Sequence, residues 1–298
     1  MKITVTGSLG NIGKPLTQEL VQKGYSVTVI SSNPEKQKDI EALGATAAIG
    51  SLEDVKFITA TFSGADAVYC MVPPNNYFDH KLDLLAYYRQ LGSNYKQAIG
   101  QSGIKHVVNL SSIGAHLEKG NGILLGAHDV ENILNELPSE TTITHIRPTS
   151  FYYNLHGYVE MIKNEGIIAA NYGDEDIVPW VSPTDIAAAI AEELIAPPVG
   201  KKVRYVSSEE LSCNEVASVL GKTIEKPDLK WIIISDEQMT NGLVAAGMNP
   251  TIAAGLVEMY AGLHNGLLSE DYYRNRPTLG KVKLTDFAKD FASVYNSK

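Results

Sequence analysis

Cysteine is scarce: 298 residues contain only Cys70 and Cys213. Two thiols cannot build a disulfide framework, and neither stands at a metal-ligand or redox spacing, so two buried thiols in a reducing compartment are expected. Positive charge is also short, with 25 Lys and Arg against 34 Asp and Glu and a formal net charge of −9. That balance argues against a protein whose main work is gripping phosphate backbones, and no nucleic-acid partner is expected, while a local basic pocket stays open. No apolar run approaches the ~18 to 20 residues of a membrane helix. The N-terminal Met1-Lys2-Ile3-Thr4-Val5 enters a strand-like pattern at once, so the expectation is a soluble cytoplasmic protein without a leader or a membrane partner. None of the seven histidines recurs with a second histidine or a cysteine at ligand spacing, so no metal is expected.

A chain of this length fits one large or two ordinary domains, at about 150 residues each. The first half alternates short β-branched runs with longer helical stretches, a pattern that predicts parallel strands joined by crossover helices. Strands are expected at Ile3–Thr6, Ser26–Ile30, Thr46–Ile49, Ala67–Val72, His106–Leu110 and Thr142–Ile146, with helices over Lys14–Lys23 and Asp83–Gly103. The fold class that follows is α/β, a Rossmann-like doubly wound parallel sheet whose ligand lies beyond the carboxyl ends of the strands. After about residue 150 the rhythm loosens. Strand candidates at Ile177–Val181, Val203–Val206 and Leu229–Ile234 mix with helices at Thr184–Ile195, Cys213–Leu220, Asp236–Ala246 and Thr251–His264. A nucleotide-binding domain over 1–150 and a smaller α+β lid over 151–298 are therefore expected, with some segments able to return to the first domain.

Gly7-Ser8-Leu9-Gly10-Asn11-Ile12-Gly13 lies between the first strand and a helix opening near Lys14-Pro15. Glycines there permit a tight turn, close approach of backbone to a pyrophosphate and packing of helix on strand, and the helix start offers free N–H groups to the anion. The spacing is G-x-x-G-x-x-G, and with a strand before it and a helix after it the turn points to a dinucleotide. The second strand ends in Ser31-Ser32-Asn33 with no carboxylate to hold a ribose 2′-hydroxyl. Small hydroxyls with Lys36 or Lys38 in reach would admit a 2′-phosphate, which favours NADP(H) over NAD(H).

Four segments carry a resemblance to a known family: Thr6–Gly13, Ser32-Asn33-Pro34-Glu35-Lys36, Phe62–Tyr69 and Arg147-Pro148-Thr149-Ser150-Phe151-Tyr152-Tyr153-Asn154. Val181-Ser182-Pro183-Thr184-Asp185-Ile186-Ala187 extends it into the second half. Together they resemble the NmrA-like branch of the atypical short-chain dehydrogenase/reductases, particularly its NAD(P)H:quinone oxidoreductases and dye-reducing enzymes. The resemblance implies a cofactor edge at Ser51 and Leu52, a nicotinamide wall at Met71, Val72 and Pro73, and contacts from Ser111, Pro148 and Thr149. It also implies an acceptor pocket near Ser112, Phe151 and Tyr152. The chain departs from those enzymes at Ser32, where many carry arginine, and at Ser51-Leu52, where many carry aspartate.

Ordinary short-chain dehydrogenases move a proton with a tyrosine and a lysine four residues later on one helix. No tyrosine stands between Tyr95 and Tyr152, so alcohol oxidation or sugar epimerisation through a tyrosinate is not expected. An electron-poor acceptor such as a quinone takes hydride directly and needs orientation more than acid catalysis. His128 falls where the resembling enzymes place a lysine or histidine near the nicotinamide, and is the candidate to hydrogen-bond or protonate a reduced oxygen. Arg147 reads as an ion-pair partner, Asp185 as part of a helix start, and Trp180 and Trp231 as packing. The expected function is NAD(P)H-dependent reduction of a quinone-like or other conjugated small molecule. The alternative is a dinucleotide-sensing regulator that binds a protein partner without turnover.

Overall fold

Each β-branched run of the first half forms a parallel strand, because a strand covered on both faces must be apolar on both. The computed structural model describes Met1–Ser297. Its main sheet collects β1 (Lys2–Val5), β2 (Ser26–Ser31), β3 (Thr46–Ile49), β4 (Ala67–Cys70), β5 (His106–Leu110), β6 (Thr142–Pro148) and β10 (Lys201–Val206) in the order β10-β6-β5-β4-β1-β2-β3. Every adjacent pair is parallel.

The period of two along the strands sends alternate residues to two helical layers. Val27, Val29, Ala67, Tyr69 and Val108 meet Leu16 and Leu20 of α1 (Gly13–Gln22) and Ile186, Ile190 and Leu194 of α7 (Pro183–Ile195). Ile30, Val68, Cys70 and Val107 face the other way, onto α3 (Val55–Phe62), α4 (Leu84–Ser102) and α5 (Leu125–Asn135). The short α2 (Gln37–Ala42) completes the β2–β3 crossover. Asp83 caps α4 through the Ala86 N–H and Gly103 ends it in the left-handed region.

The second layer of architecture is built around Trp180, Trp231, Tyr152 and Phe291, all buried. β7 (Ser150–Phe151), β9 (Ile177–Val181) and β11 (Glu209–Ser212) form one small sheet, β8 (Ile167–Ala170) and β12 (Lys230–Ile233) another. Around them stand α6 (Val159–Glu165), α8 (Cys213–Thr223), α9 (Asp236–Ala245), α10 (Pro250–His264), α11 (Glu270–Arg274) and α12 (Leu284–Asn296). A division at residue 150 cuts the main sheet. β10 pairs along its length with β6, and α7 packs on α1, so the chain leaves the first domain after β6 and returns for 183–206. No helix among the described residues is long and apolar enough to cross a membrane, and both cysteines are buried and unpaired.

Two local expectations are corrected. The fourth strand stops at Cys70 and not at Val72, because the Met71 N–H turns to the Thr6 hydroxyl (3.0 Å) ahead of two prolines. Asp185 stands in the first turn of α7 as expected but does not cap it; Ser182 is the cap, and Asp185 accepts from the Ser208 hydroxyl (2.6 Å) and the N–H groups of Lys281 and Val282 (3.1 Å each). It thereby clasps the segment leading into α12. Removing it in Asp185→Ala should destabilise the protein by roughly 2 kcal/mol, since hydrogen bonds to a charged group each contribute about 1.5–3 before relaxation. A urea midpoint will measure this, with amide exchange around 280–284 rising first; an unchanged midpoint would show that the clasp holds nothing.

Candidate active site

The turn after β1 is shaped by contacts that two of its glycines cannot give up. Gly7 has φ 86°, and a Cβ there would lie 2.7 Å from the Met71 sulfur. A Cβ on Gly13 would lie 2.1 Å from the Ser8 carbonyl oxygen, so α1 can seat against the turn only through glycine. Gly10 differs: it is exposed, and its nearest neighbour would be the Gly7 carbonyl at an ordinary 3.6 Å. Ser8 holds a left-handed φ of 56° because its N–H bonds to Ile30 O (3.0 Å) and its hydroxyl to the buried Ser31 hydroxyl (2.9 Å), which locks the turn to β2. Beneath it, Tyr95 donates to Met71 O (2.6 Å) and tightens the ends of β1 and β4.

α1 starts without a side-chain cap and without an acidic residue in its first turn. Among the described residues, the N–H groups of Asn11, Ile12 and Gly13 have no hydrogen-bond partner. Unpaired donors at the positive end of a helix, beside an exposed Gly10, are an arrangement that can take up an anion.

Around this turn the expected contacts divide. Ser31 is buried and Ser32 exposed at the end of β2. Lys36 is not free, since its ammonium bonds Asp39 at 3.1 Å on the surface. The Ser51 hydroxyl accepts from the Glu53 N–H (3.1 Å), and the half-buried Leu52 supplies its carbonyl to Asn94 (3.1 Å). Val72, Pro73, Ser112 and Phe151 are half-buried and Pro148 is buried, while the buried Thr149 hydroxyl has no partner in the protein.

Three expected site residues are already occupied elsewhere. Ser111 donates to Glu131 (2.5 Å), and Glu131 in turn takes two bonds from Arg147, at 2.9 and 2.6 Å. Arg147 is buried, which alone would lower its pKa; the Glu131 carboxylate outweighs that and holds it well above the usual guanidinium value. Arg147 also reaches Tyr205 (3.2 Å) and Asp271 (3.3 Å), so it is the ion-pair partner that the sequence implied. His128 does not present a free nitrogen. Its Nδ1–H donates to Ala115 O (2.9 Å) and its Nε2 meets the Asn132 amide (2.8 Å). It faces a cleft shared with His116, His145 and Arg147 between α5 and the β6–β10 edge of the sheet. Tyr152 does not line a pocket: it is fully buried, stacked between Trp180 and Phe287, and donates to Glu209 (2.8 Å).

The sequence matches the NmrA-like family over residues 1–264. The chain belongs to the NmrA-like family. Among curated relatives of this NmrA-like protein is an NAD(P)H azoreductase of Xenophilus azovorans, 26% identical, the match covering 99% of each chain. The fold is shared with the triphenylmethane reductase of a Citrobacter species, solved in complex with NADP(H): TM-score 0.77 at 20% identity, covering 97% of this chain and 99% of that one. It is shared equally with an NADPH-dependent quinone oxidoreductase of Escherichia coli: TM-score 0.76 at 17% identity, covering 97% and 98%.

What sequence reasoning missed in this NmrA-like protein is Glu131, a buried carboxylate on α5 that takes bonds from both Ser111 and Arg147 and that the sequence marked only as one acid of a helix. Among the described residues no three His, Cys, Asp or Glu side chains are placed to share a metal ion.

Proposed function

We propose that this NmrA-like protein is an NAD(P)H-dependent reductase of quinone-like or other conjugated small molecules, with NADP(H) favoured over NAD(H). The observation that carries the reading is the cradle at the head of α1: three unpaired N–H groups, a Gly13 that admits no side chain and an open Gly10. Gly7, Ser8, Leu9, Gly10, Asn11, Ile12 and Gly13 would hold the pyrophosphate, Ser31 and Ser32 the adenosine ribose, and Ser51 and Leu52 the adenine. Met71, Val72 and Pro73 would wall the nicotinamide, whose chemistry when bound is hydride transfer. The 26% identity to an azoreductase across 99% of the chain supports the reaction class. Ser112 and Phe151 stand at the acceptor side.

The NADP(H) preference rests on the end of β2, where Ser31, Ser32 and Asn33 bring no carboxylate against a 2′-phosphate. Lys36 can turn to that phosphate by leaving Asp39, because an exposed pair contributes only about 0–1 kcal/mol. Calorimetry with the four nicotinamide nucleotides is expected to give one site per chain, with NADPH tighter than NADH by about tenfold, one charge-assisted contact in free energy. A para-quinone added to the NADPH complex should then consume the reduced-nicotinamide absorbance. Equal affinities would refute the preference, and nucleotide binding with no consumption across quinone, azo and triphenylmethane acceptors would refute the reductase reading in favour of a sensor.

A further inference from the structure

The strand order reverses between β1 and β4, and a sheet of this kind takes its ligand in the crevice outside the strand ends at that point. The two strands pair only as far as Val5 and Tyr69, with one further bond from the Thr6 N–H to Tyr69 O (3.1 Å). Met71 lies past the last paired residue of β4, and side chains hold its backbone instead. Its N–H donates to the Thr6 hydroxyl (3.0 Å), and its carbonyl accepts from the Tyr95 hydroxyl (2.6 Å), which also lies 3.3 Å from the Thr6 oxygen. Thr6 and Tyr95 are both fully buried. Burial holds the phenol far above its usual pKa, so it remains a donor. The Tyr95 ring stacks on Phe62 at 6.4 Å, a task that phenylalanine would perform as well; what tyrosine adds is the bond to Met71.

Asn94, the residue before Tyr95 on α4, anchors a second segment. Its amide donates to Leu52 O (3.1 Å) and Glu53 O (3.4 Å) in the loop after β3. The start of that loop is joined to β2 by the Gly50 N–H, which donates to Ser31 O (3.0 Å). In the sheet order β4-β1-β2-β3 the two anchored segments flank the glycine turn, one following β4 and the other following β3. Both anchors stand on one helix of 19 residues, capped at its start by Asp83 and ended by Gly103.

We propose that α4 is the gauge of the dinucleotide site: Tyr95 sets the position of Met71 against the nicotinamide, and Asn94 sets that of Leu52 against the adenine. The inference rests on the cofactor assignment made above and adds two residues that position the cofactor without touching it. Because the anchors are consecutive residues of one rigid element, the separation of the two walls does not drift with either loop. The nicotinamide is thereby presented to the acceptor in one place, where a small misplacement would be costly in rate.

The test separates the two halves of the cofactor. NADPH and 2′-phospho-ADP-ribose, which ends where the nicotinamide begins, are titrated into the full chain by calorimetry. Wild-type protein should bind both, NADPH more tightly. Tyr95→Phe should weaken NADPH by about tenfold, the equivalent of one hydrogen bond, and leave the fragment unchanged. Asn94→Leu should weaken both ligands by the same factor. In the wild type the apolar Met71 wall should shift the emission of bound NADPH to the blue. In Tyr95→Phe the emission should return toward that of free NADPH, which a loss of stability alone would not produce. Met71→Ala should reproduce the Tyr95→Phe pattern, and adding Tyr95→Phe to it should cost no further affinity, because the hydroxyl acts through Met71. Equal loss of both ligands or of neither in Tyr95→Phe, fragment binding spared in Asn94→Leu, or additive effects in the double variant would overturn the proposal. A wild type that binds neither ligand would overturn the cofactor assignment itself.

Discussion

Gly10→Val is expected to reduce NADPH affinity by at least about 100-fold while leaving the melting temperature of the unliganded protein unchanged. The two outcomes separate because the local geometry separates them. A Cβ at Gly10 meets nothing closer than the Gly7 carbonyl at 3.6 Å, so the folded chain tolerates it. The added isopropyl group instead fills the space in front of the unpaired N–H groups of Asn11, Ile12 and Gly13, and a pyrophosphate held off by one methyl diameter loses its short charge-assisted bonds. The neighbouring Gly13→Ala should behave differently. Its methyl would sit 2.1 Å from the Ser8 carbonyl, so α1 must shift and both stability and binding fall. Calorimetry and thermal unfolding on the two variants decide the matter; NADPH binding of wild-type strength in Gly10→Val would place the cofactor elsewhere.

Glu131→Leu should destabilise the protein by roughly 3 kcal/mol, the lower end for stranding a buried charge. Glu131 and Arg147 are 5% and 7% exposed, and Glu131 takes two of the guanidinium bonds as well as the Ser111 hydroxyl. With the carboxylate gone, Arg147 keeps only the half-exposed Asp271 and the Tyr205 hydroxyl. The double variant Glu131→Leu with Arg147→Met should recover most of the loss, because a well-filled apolar pair removes the stranded charge. Urea midpoints of the two singles and the double test this. A double variant as unstable as the sum of the singles would show that the pair is not the unit. Since Glu131 and His128 lie on neighbouring positions of α5, the same variants report whether the ring's bond to Ala115 depends on the ion pair.

The parallel sheet was legible because strands buried on both faces leave continuous apolar runs, and α4 because Asp83 and Gly103 mark its ends with their own chemistry. The glycine turn was legible because only a backbone requirement puts glycine at both Gly7 and Gly13. Pattern reading could not assign β10 to the main sheet, since a strand's period does not reveal which partner it pairs with. It misplaced Tyr152 because 152–158 winds as a 3-10 turn, where residues three apart share a face: Tyr152, Leu155 and Tyr158 go inward and Tyr153 outward. His128 was found as a helix residue of the right type, but what its nitrogens meet depends on the Ala115 carbonyl in another segment.

The way α12 closes the second core bears on how the protein is made. Leu284, Ala288 and Phe291 complete the cluster around Trp180 and Trp231, while the strands and helices that they cover precede them by as many as a hundred residues or more. During synthesis the half built on the seven-stranded sheet can fold as soon as β10 has emerged, but the tryptophan-lined half waits with its apolar face open until α12 clears the ribosome. Chaperone demand and yield in cells should therefore depend on translation speed through the part of the message that encodes α12, even where the folded protein is equally stable.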